Sequence, residues 1–389
     1  MKLKDLKNIA DFISNHRLEF IRLLCSTSTY KSAEDELHRT INALHGADRE
    51  LQEISRISSI PRTAVYQPSN ILLYSYALYA LIPCLFCDRI FIRPSYLTKD
   101  IVSHLHRALM QKFSLPIELI LKSHRQFFNQ FVSQSQVVVF TGKYTNALEI
   151  RSELNLNQLF LFFGSGINPL IIGTAADINK SVDDTVAARV FNSGQDCICP
   201  NVIFVHEDIA KTYLKILKQK LQQLQIGQRS NPKTDVAPLY YNDVIPEVKK
   251  YLETHNRSII YGGNIIEEQK IVYPTILLSS VTDEWDMMEF FSPVFNVVIY
   301  SSINDVEAVL NSSPLNEHRM GASIYGIDDP PHFLQKNHVI SINQTLFDIE
   351  DGNQPFGGYG ERASHVYFKG ETQCRPLLIS REILKAFGD

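Results

Sequence analysis

Nothing in the 389-residue sequence suits it to a membrane, a secretory route or a disulfide scaffold. Its most apolar stretch, Ile71 to Phe86, is interrupted by Tyr, Ser and Pro and gives way to Cys87-Asp88-Arg89. A membrane-spanning helix needs about 20 apolar residues, so this stretch reads as buried core. The opening segment, MKLKDLKNIADFISNHR, has no apolar run of the secretory kind. Excess charge is also missing: 38 basic side chains stand against 42 acidic ones, a net of -4. That balance excludes general attraction to nucleic acid or anionic lipid. The six cysteines are too few to frame a chain of this length, and without a secretory signal they are expected to be reduced. What is present, 44% hydrophobic and 21% charged residues, is the composition of a soluble, cytoplasmic globular protein with one large or two medium domains.

Periodicity supplies the fold class. Up to about residue 60 the pattern is helical, with one apolar face in LKNIADFISNHRLEFIRLL and another in SAEDELHRTINALHGADRELQEI. Beyond it, short apolar runs alternate with helical patterns. Strands are expected at 89–93, 116–121, 137–141, 159–163, 201–206, 294–300, 321–325, 339–343 and 376–380, and helices at 99–112, 178–192 and 207–224. Strands that are continuously apolar, separated by helices, belong in parallel sheets covered on both faces. The expectation is an α/β protein of two lobes that meet near residue 165.

Two familiar phosphate-binding patterns fail. Gly164-Ser-Gly166 follows an apolar strand, but a dinucleotide fingerprint needs a third glycine where Pro169 stands. Gly142-Lys143 lacks the glycine of a P-loop, since position 137 is Val. Cys84-Leu-Phe-Cys87 has the spacing of a zinc or redox pair, yet no second pair accompanies it and its neighbours are apolar. Buried thiols are the better reading there, and no metal site is expected. Cys197 differs. It lies in Phe191-Asn-Ser-Gly-Gln-Asp-Cys-Ile-Cys-Pro200, a turn between a helix and a strand at the lobe boundary. A thiol in such a turn is open to activation by backbone dipoles.

That segment resembles the active-cysteine motif F-N-x-G-Q-x-C of the aldehyde dehydrogenase superfamily. The resemblance continues in order along the chain: Gln67-Pro-Ser-Asn70-Ile is similar to P-W-N-F-P, Ile92-Arg-Pro-Ser95 to L-K-P-S, and Val138-Val-Phe-Thr-Gly142 to V-x-F-T-G. Ile167-Asn-Pro169 matches the end of E-L-G-G-K-N-P, and Glu289-Phe-Phe-Ser-Pro-Val294 resembles E-I-F-G-P-V. Gly321-Ala-Ser-Ile-Tyr325 and Pro355-Phe-Gly-Gly-Tyr359 complete the series. The resemblance implies a variant Rossmann domain binding NAD or NADP over residues 1–165, with a shortened oligomerisation hairpin near 47–66. It further implies a catalytic domain over 166–345 and a C-terminal segment, 346–389, that returns to the cofactor domain. Cys197 would be the nucleophile and Asn70 would help hold the oxyanion. Arg93, Ser95, Gly142, Lys143, Glu289 and Phe291 would bind the cofactor.

The departures are as informative as the matches. The family's general-base glutamate aligns with Phe163, and the spacing to Cys197 agrees with the family's. Arg93 replaces a lysine, and Tyr96 stands where an acid often follows K-P-S, so Arg93 with Lys143 favours NADP over NAD. No glycine turn is visible in Leu121-Lys-Ser-His-Arg-Gln-Phe127. The strands that precede the first helix in the family have no counterpart, which weakens the case for a homodimer. Three readings stay open. One is acyl transfer, or reduction of an acyl-CoA or carrier-bound acyl group, through a Cys197 thioester. Another is conventional aldehyde oxidation with a base moved elsewhere, Asp196 being a candidate. The third is an inactive relative kept as a scaffold.

Overall fold

A computed structural model describes residues 1–54, 59–283 and 287–388. Two seven-stranded sheets organise them. The first is built from β1 (Thr63–Tyr66), β2 (Ile90–Arg93), β3 (Ile117–Leu119), β4 (Val137–Thr141) and β5 (Leu159–Phe163). The chain then crosses to the second, through β6 (Asn168–Ile172), β7 (Pro200–His206) and β8 (Ile259–Tyr261). A small ribbon of β9 (Ile265–Ile266) and β10 (Ile271–Val272) precedes β11 (Thr275–Ser280), β12 (Val294–Tyr300), β13 (Gly321–Tyr325) and β14 (Val339–Ile342). Finally β15 (Ser364–Phe368) and β16 (Glu371–Gln373) rejoin the first sheet as antiparallel strands beside β5.

In the first sheet the order is β16-β15-β5-β4-β1-β2-β3, and β1 to β5 are parallel. Its order reverses between β1 and β4, and ligands of open α/β sheets bind outside the carboxyl ends of the strands at such a reversal. The second runs β14-β13-β6-β7-β12-β11-β8, parallel except for the edge strand β8. Residues of β4, β5, β6 and β12 are almost all buried, which is why their sequences are largely apolar and do not alternate.

Ile71 to Phe86 is core, as its composition suggested: a short α-helix (Leu72–Tyr76) passes into a π-helical turn (Ala77–Leu81) and a 3₁₀ turn (Pro83–Leu85). Cys84 and Cys87 are buried thiols. Among the described residues no helix is long and apolar enough to cross a membrane, and no cluster of metal-ligating side chains occurs.

Several expectations need correction. The hairpin placed near 47–66 is not formed by the described residues. Asp48–Ile54 is a helix, β1 is an inner strand paired in parallel on both sides, and residues 55–58 lie outside the described set. The strand expected at 376–380 is a single bridge, Leu377 to Phe356, followed by a helix from Ile379 to Phe387. A short apolar run such as Leu377-Leu378-Ile379 fits a buried strand or a buried helix end equally well. Here the helix wins because it packs on the helix Asp48–Ile54, where the Ser380 hydroxyl donates to Glu50 at 2.7 Å.

Candidate active site

Cys197 lies on a loop that folds back on itself. The helix Ile178–Val190 ends in Phe191, after which Asn192 (φ 47°), Ser193 (φ 58°) and Gly194 (φ 82°) are all left-handed. Such a run is strained for residues with a side chain and persists only when its surroundings fix it. Here they do. The Asn192 amide donates to the Ser32 hydroxyl (2.8 Å), and the Asn192 side-chain oxygen accepts from the Thr29 amide (3.1 Å). The Gln195 side chain accepts from the Tyr240 amide at 2.9 Å. Asn168 donates to the Cys197 carbonyl at 2.7 Å and accepts from the Gly321 amide at 3.0 Å.

The strongest clamp is Arg189, fully buried and without a carboxylate against its guanidinium among the described residues. Its nitrogens donate to the carbonyls of Ser292 (3.0 Å), Pro200 (2.9 Å) and Gly194 (3.0 Å). One side chain thus ties the Cys197 loop to the start of β7 and to the Glu289–Val294 segment. A buried cation hydrogen-bonded only to carbonyls is costly; burial lowers its pKa, against the opposing charges of Cys199, Glu289 and Asp196.

The Cys197 thiol is partly buried and lines a narrow cleft of about 50 Å³ free volume. Its pKa is raised well above the ordinary thiol value, by burial first and then by Asp196, Glu289 and Cys199. The helix Tyr30–His45 contributes Glu36 and Arg39 to the same cleft, and the π-helical turn contributes Tyr79. Burial pushes Glu36 up to about 7, against amide donors from Leu73 and Tyr74. Asp196 is pushed up to about 6 by burial, against the Ile198 amide. Phe163, at the carboxyl end of β5, is 4% exposed and stacks on Tyr79 with ring centroids 5.4 Å apart. The position aligned with a base therefore belongs to an aromatic wall.

The expected cofactor residues sit at or beyond strand ends in both sheets. Arg93 ends β2 and donates to the Lys122 carbonyl at 3.1 Å, with Ser95 just beyond it. Gly142 and Lys143 follow β4, the exposed Lys143 ammonium lying 3.7 Å from Asp243. Lys143 thus lies beyond a strand end that flanks the reversal, with Arg93 one strand further out. From the amino end of β12 come Glu289 and Phe291, the latter left-handed (φ 43°) and edge-on to Tyr241 at 6.1 Å. Glu289 is pushed up to about 8 by burial, with a hydrogen bond from Ser165 and the Arg189 charge opposing the shift. Its Oε1 is buried without a hydrogen-bond partner among the described residues. An orphaned carboxylate oxygen suits a hydroxyl-bearing ligand such as a ribose. Asn70 is half-buried in the turn after β1, beside left-handed Ile71, which lines the cleft. The Asn70 side chain makes no hydrogen bond among the described residues.

Motif matching singled out Cys197, Asn70 and Glu289 and passed over Glu36, Arg39, Arg189 and the role of Asn168. A carboxylate on the apolar face marked by Ala33, Leu37 and Leu44 was the available signal for Glu36. The clamp made by Arg189 had none, since its partners are carbonyls distant in sequence.

The sequence profile of the Aldehyde dehydrogenase family matches residues 77–371. A lactaldehyde dehydrogenase of Methanococcus aeolicus is 28% identical over 228 residues, 56% of this chain and 47% of the relative. A 4,4'-diaponeurosporen-aldehyde dehydrogenase of Staphylococcus aureus is 25% identical over 281 residues, 69% of this chain and 59% of that one. The chain's match thus spans about half the length of these curated relatives. Among solved structures, the succinic semialdehyde dehydrogenase of Streptococcus pyogenes in complex with NADP+ superposes with a TM-score of 0.82 at 16% identity, covering 96% of this chain and 89% of that one. A glyceraldehyde-3-phosphate dehydrogenase of Methanocaldococcus jannaschii complexed with NADP gives 0.78 at 21% identity, with 94% and 87% covered. Both share the two-sheet fold.

Proposed function

Because the chain belongs to the aldehyde dehydrogenase family, we propose that it is an NAD(P)-dependent oxidoreductase. Its substrate is an aldehyde, or in reverse an acyl thioester, handled through a covalent thioester on Cys197. The observation that carries this reading is a thiol on a strained, heavily anchored turn, facing a cleft walled by Tyr79, on which Phe163 stacks where the family motif has a base. The Cys197 sulfur adds to the carbonyl carbon, and the thiol proton leaves to solvent through the cleft. The oxyanion is held by the Cys197 amide and the Asn70 side chain; losing one such donor costs about 10²–10³ in rate. Glu289 and Phe291 would hold the nicotinamide end of the cofactor, which when bound would supply the hydride acceptor that takes the tetrahedral adduct to the thioester.

Arg93, Ser95, Gly142 and Lys143 would hold the phosphates and ribose of the dinucleotide. Glu289 would take the nicotinamide ribose on its unpartnered oxygen, with Phe291 packed alongside. Exposed Tyr96 in place of an acid removes repulsion toward a 2′-phosphate, which favours NADP.

Release of the acyl group separates this reading from simple oxidation. A base that activates water is worth about 10²–10⁴ in rate, and the Phe163–Tyr79 stack offers none. The acyl group passes instead to an acceptor thiol such as coenzyme A. The acceptor sulfur takes the acyl carbon, and its proton returns to Cys197 as the free thiol. The test supplies aldehyde and NADP with and without coenzyme A. Cofactor reduction beyond one equivalent is expected only with the acceptor; rapid carboxylate formation without any thiol would overturn the reading.

A further inference from the structure

We propose that the cleft beside Cys197 selects an aldehyde carrying a positive charge, an ammonium group at the far end of its chain, with Glu36 and Asp196 as the recognising carboxylates. This rests on the reading of Cys197 as the nucleophile.

The cleft is lined by four carboxylates, Asp35, Glu36, Asp196 and Glu350, against one cation, Arg39. Arg39 is already committed. Its Nε lies 2.5 Å from Asp35, its Nη1 2.5 Å from Glu350, and its Nη2 donates to the Phe347 carbonyl at 2.9 Å. The Tyr74 hydroxyl donates to the other Glu350 oxygen at 2.6 Å. Asp35 and Glu350 are therefore paired, and Glu36 and Asp196 are not.

These two acids are 4% and 7% exposed. Glu36 uses Oε1 to accept from the Leu73 amide (2.6 Å) and the Tyr74 amide (3.2 Å); Asp196 uses Oδ1 to accept from Ile198 (3.0 Å). The second oxygen of each has no hydrogen-bond partner among the described residues, although both side chains line the cleft. Capping the start of the helix Leu72–Tyr76 explains one oxygen of Glu36 and neither of the remaining two. A carboxylate oxygen that faces a largely apolar cleft without a donor is expensive to maintain, and a cation with N–H or polarised C–H groups is the ligand that relieves both.

The rest of the wall agrees. Tyr74, Tyr79, Phe191 and Phe347 present aromatic rings to the cleft, with Phe191 and Phe347 centroids 4.4 Å apart. Aromatic faces attract ammonium and quaternary ammonium groups, more strongly when water is excluded. A carboxylate-ended aldehyde would meet repulsion, and a neutral one would leave the two acids unrelieved.

The test compares three aldehydes of equal chain length: one ending in trimethylammonium, its tert-butyl isostere, and one ending in a carboxylate. Each is given with NADP and coenzyme A, following cofactor reduction and labelling of Cys197. The wild-type protein should show kcat/KM at least tenfold higher for the cation than for the isostere, with the carboxylate lowest. Glu36→Gln and Asp196→Asn should each pull the cation-to-isostere ratio toward one. A wild-type ratio at or below one overturns the proposal, and a high ratio kept by both variants overturns the assignment to these carboxylates. Absence of cofactor reduction and of Cys197 labelling with every aldehyde would instead refute the nucleophile reading, and this inference with it.

Discussion

Three acids around Cys197 are held away from their ordinary protonation range, and that has a cost that can be read from stability. Burial raises Glu36 to about 7, Asp196 to about 6 and Glu289 to about 8. For an acid whose pKa is higher in the folded state, the folded protein binds more protons than the unfolded one between the two values. Stability contributed by these groups is therefore fully present below their unfolded pKa, near 4, and falls as pH rises toward 8. Glu36→Gln should flatten that slope and raise the melting temperature at pH 8 relative to wild type, with little effect at pH 4.5. The gain is on the order of 1–3 kcal/mol, and scanning calorimetry at the two pH values measures it. A variant less stable than wild type at pH 8 would show that Glu36 has a partner not accounted for. Arg189 makes the opposite case. Arg189→Met removes donors from three buried carbonyls, each loss costing about 1–3 kcal/mol. It should lower both stability and kcat, while Arg189→Lys keeps part of each. Unchanged kcat in a folded Arg189→Met protein would mean that the clamp does not position the thiol.

At the scale of elements, the turn from Phe191 to Gly194 carries the argument. A Cβ added to Gly194 would sit 2.5 Å from the Ser292 carbonyl oxygen, whereas one added to Gly370, also left-handed (φ 86°), finds its nearest atom at 3.9 Å. Both pay about 1–2 kcal/mol for the backbone conformation. Gly194→Ala should therefore lower the melting temperature clearly more than Gly370→Ala, and it alone should slow cofactor reduction. Equal losses would show that the turn has room to relax. The helix-to-strand change around this turn was legible in the sequence, because the helix has period 3.6 and the strand is a continuous apolar run. Strand β6 was not: Pro169 argues against an inner strand. A register shift between Asn168 and Pro169 accommodates the missing amide. The π-helical turn at Ala77–Leu81 was likewise hidden, since an extra residue per turn leaves no mark on an all-apolar segment.

For the whole molecule, two seven-stranded sheets supply the candidate residues from their strand ends. Carboxyl ends of β1, β2 and β4 bring Asn70, Arg93 and Lys143; amino ends of β6, β7 and β12 bring Ser165, Cys197 and Glu289. Motif order pointed to these strand ends, because they recur wherever the topology does. The charge of the cleft was not legible, since Glu36, Asp196 and Glu350 come from three distant parts of the chain and meet only on folding. The most direct test is intact-mass spectrometry of the protein mixed with aldehyde and NADP in the absence of any acceptor thiol. The account predicts an acyl adduct on Cys197 that persists for many minutes, is absent in Cys197→Ala, and disappears on adding coenzyme A. Carboxylate appearing in many turnovers with no adduct accumulating would contradict it.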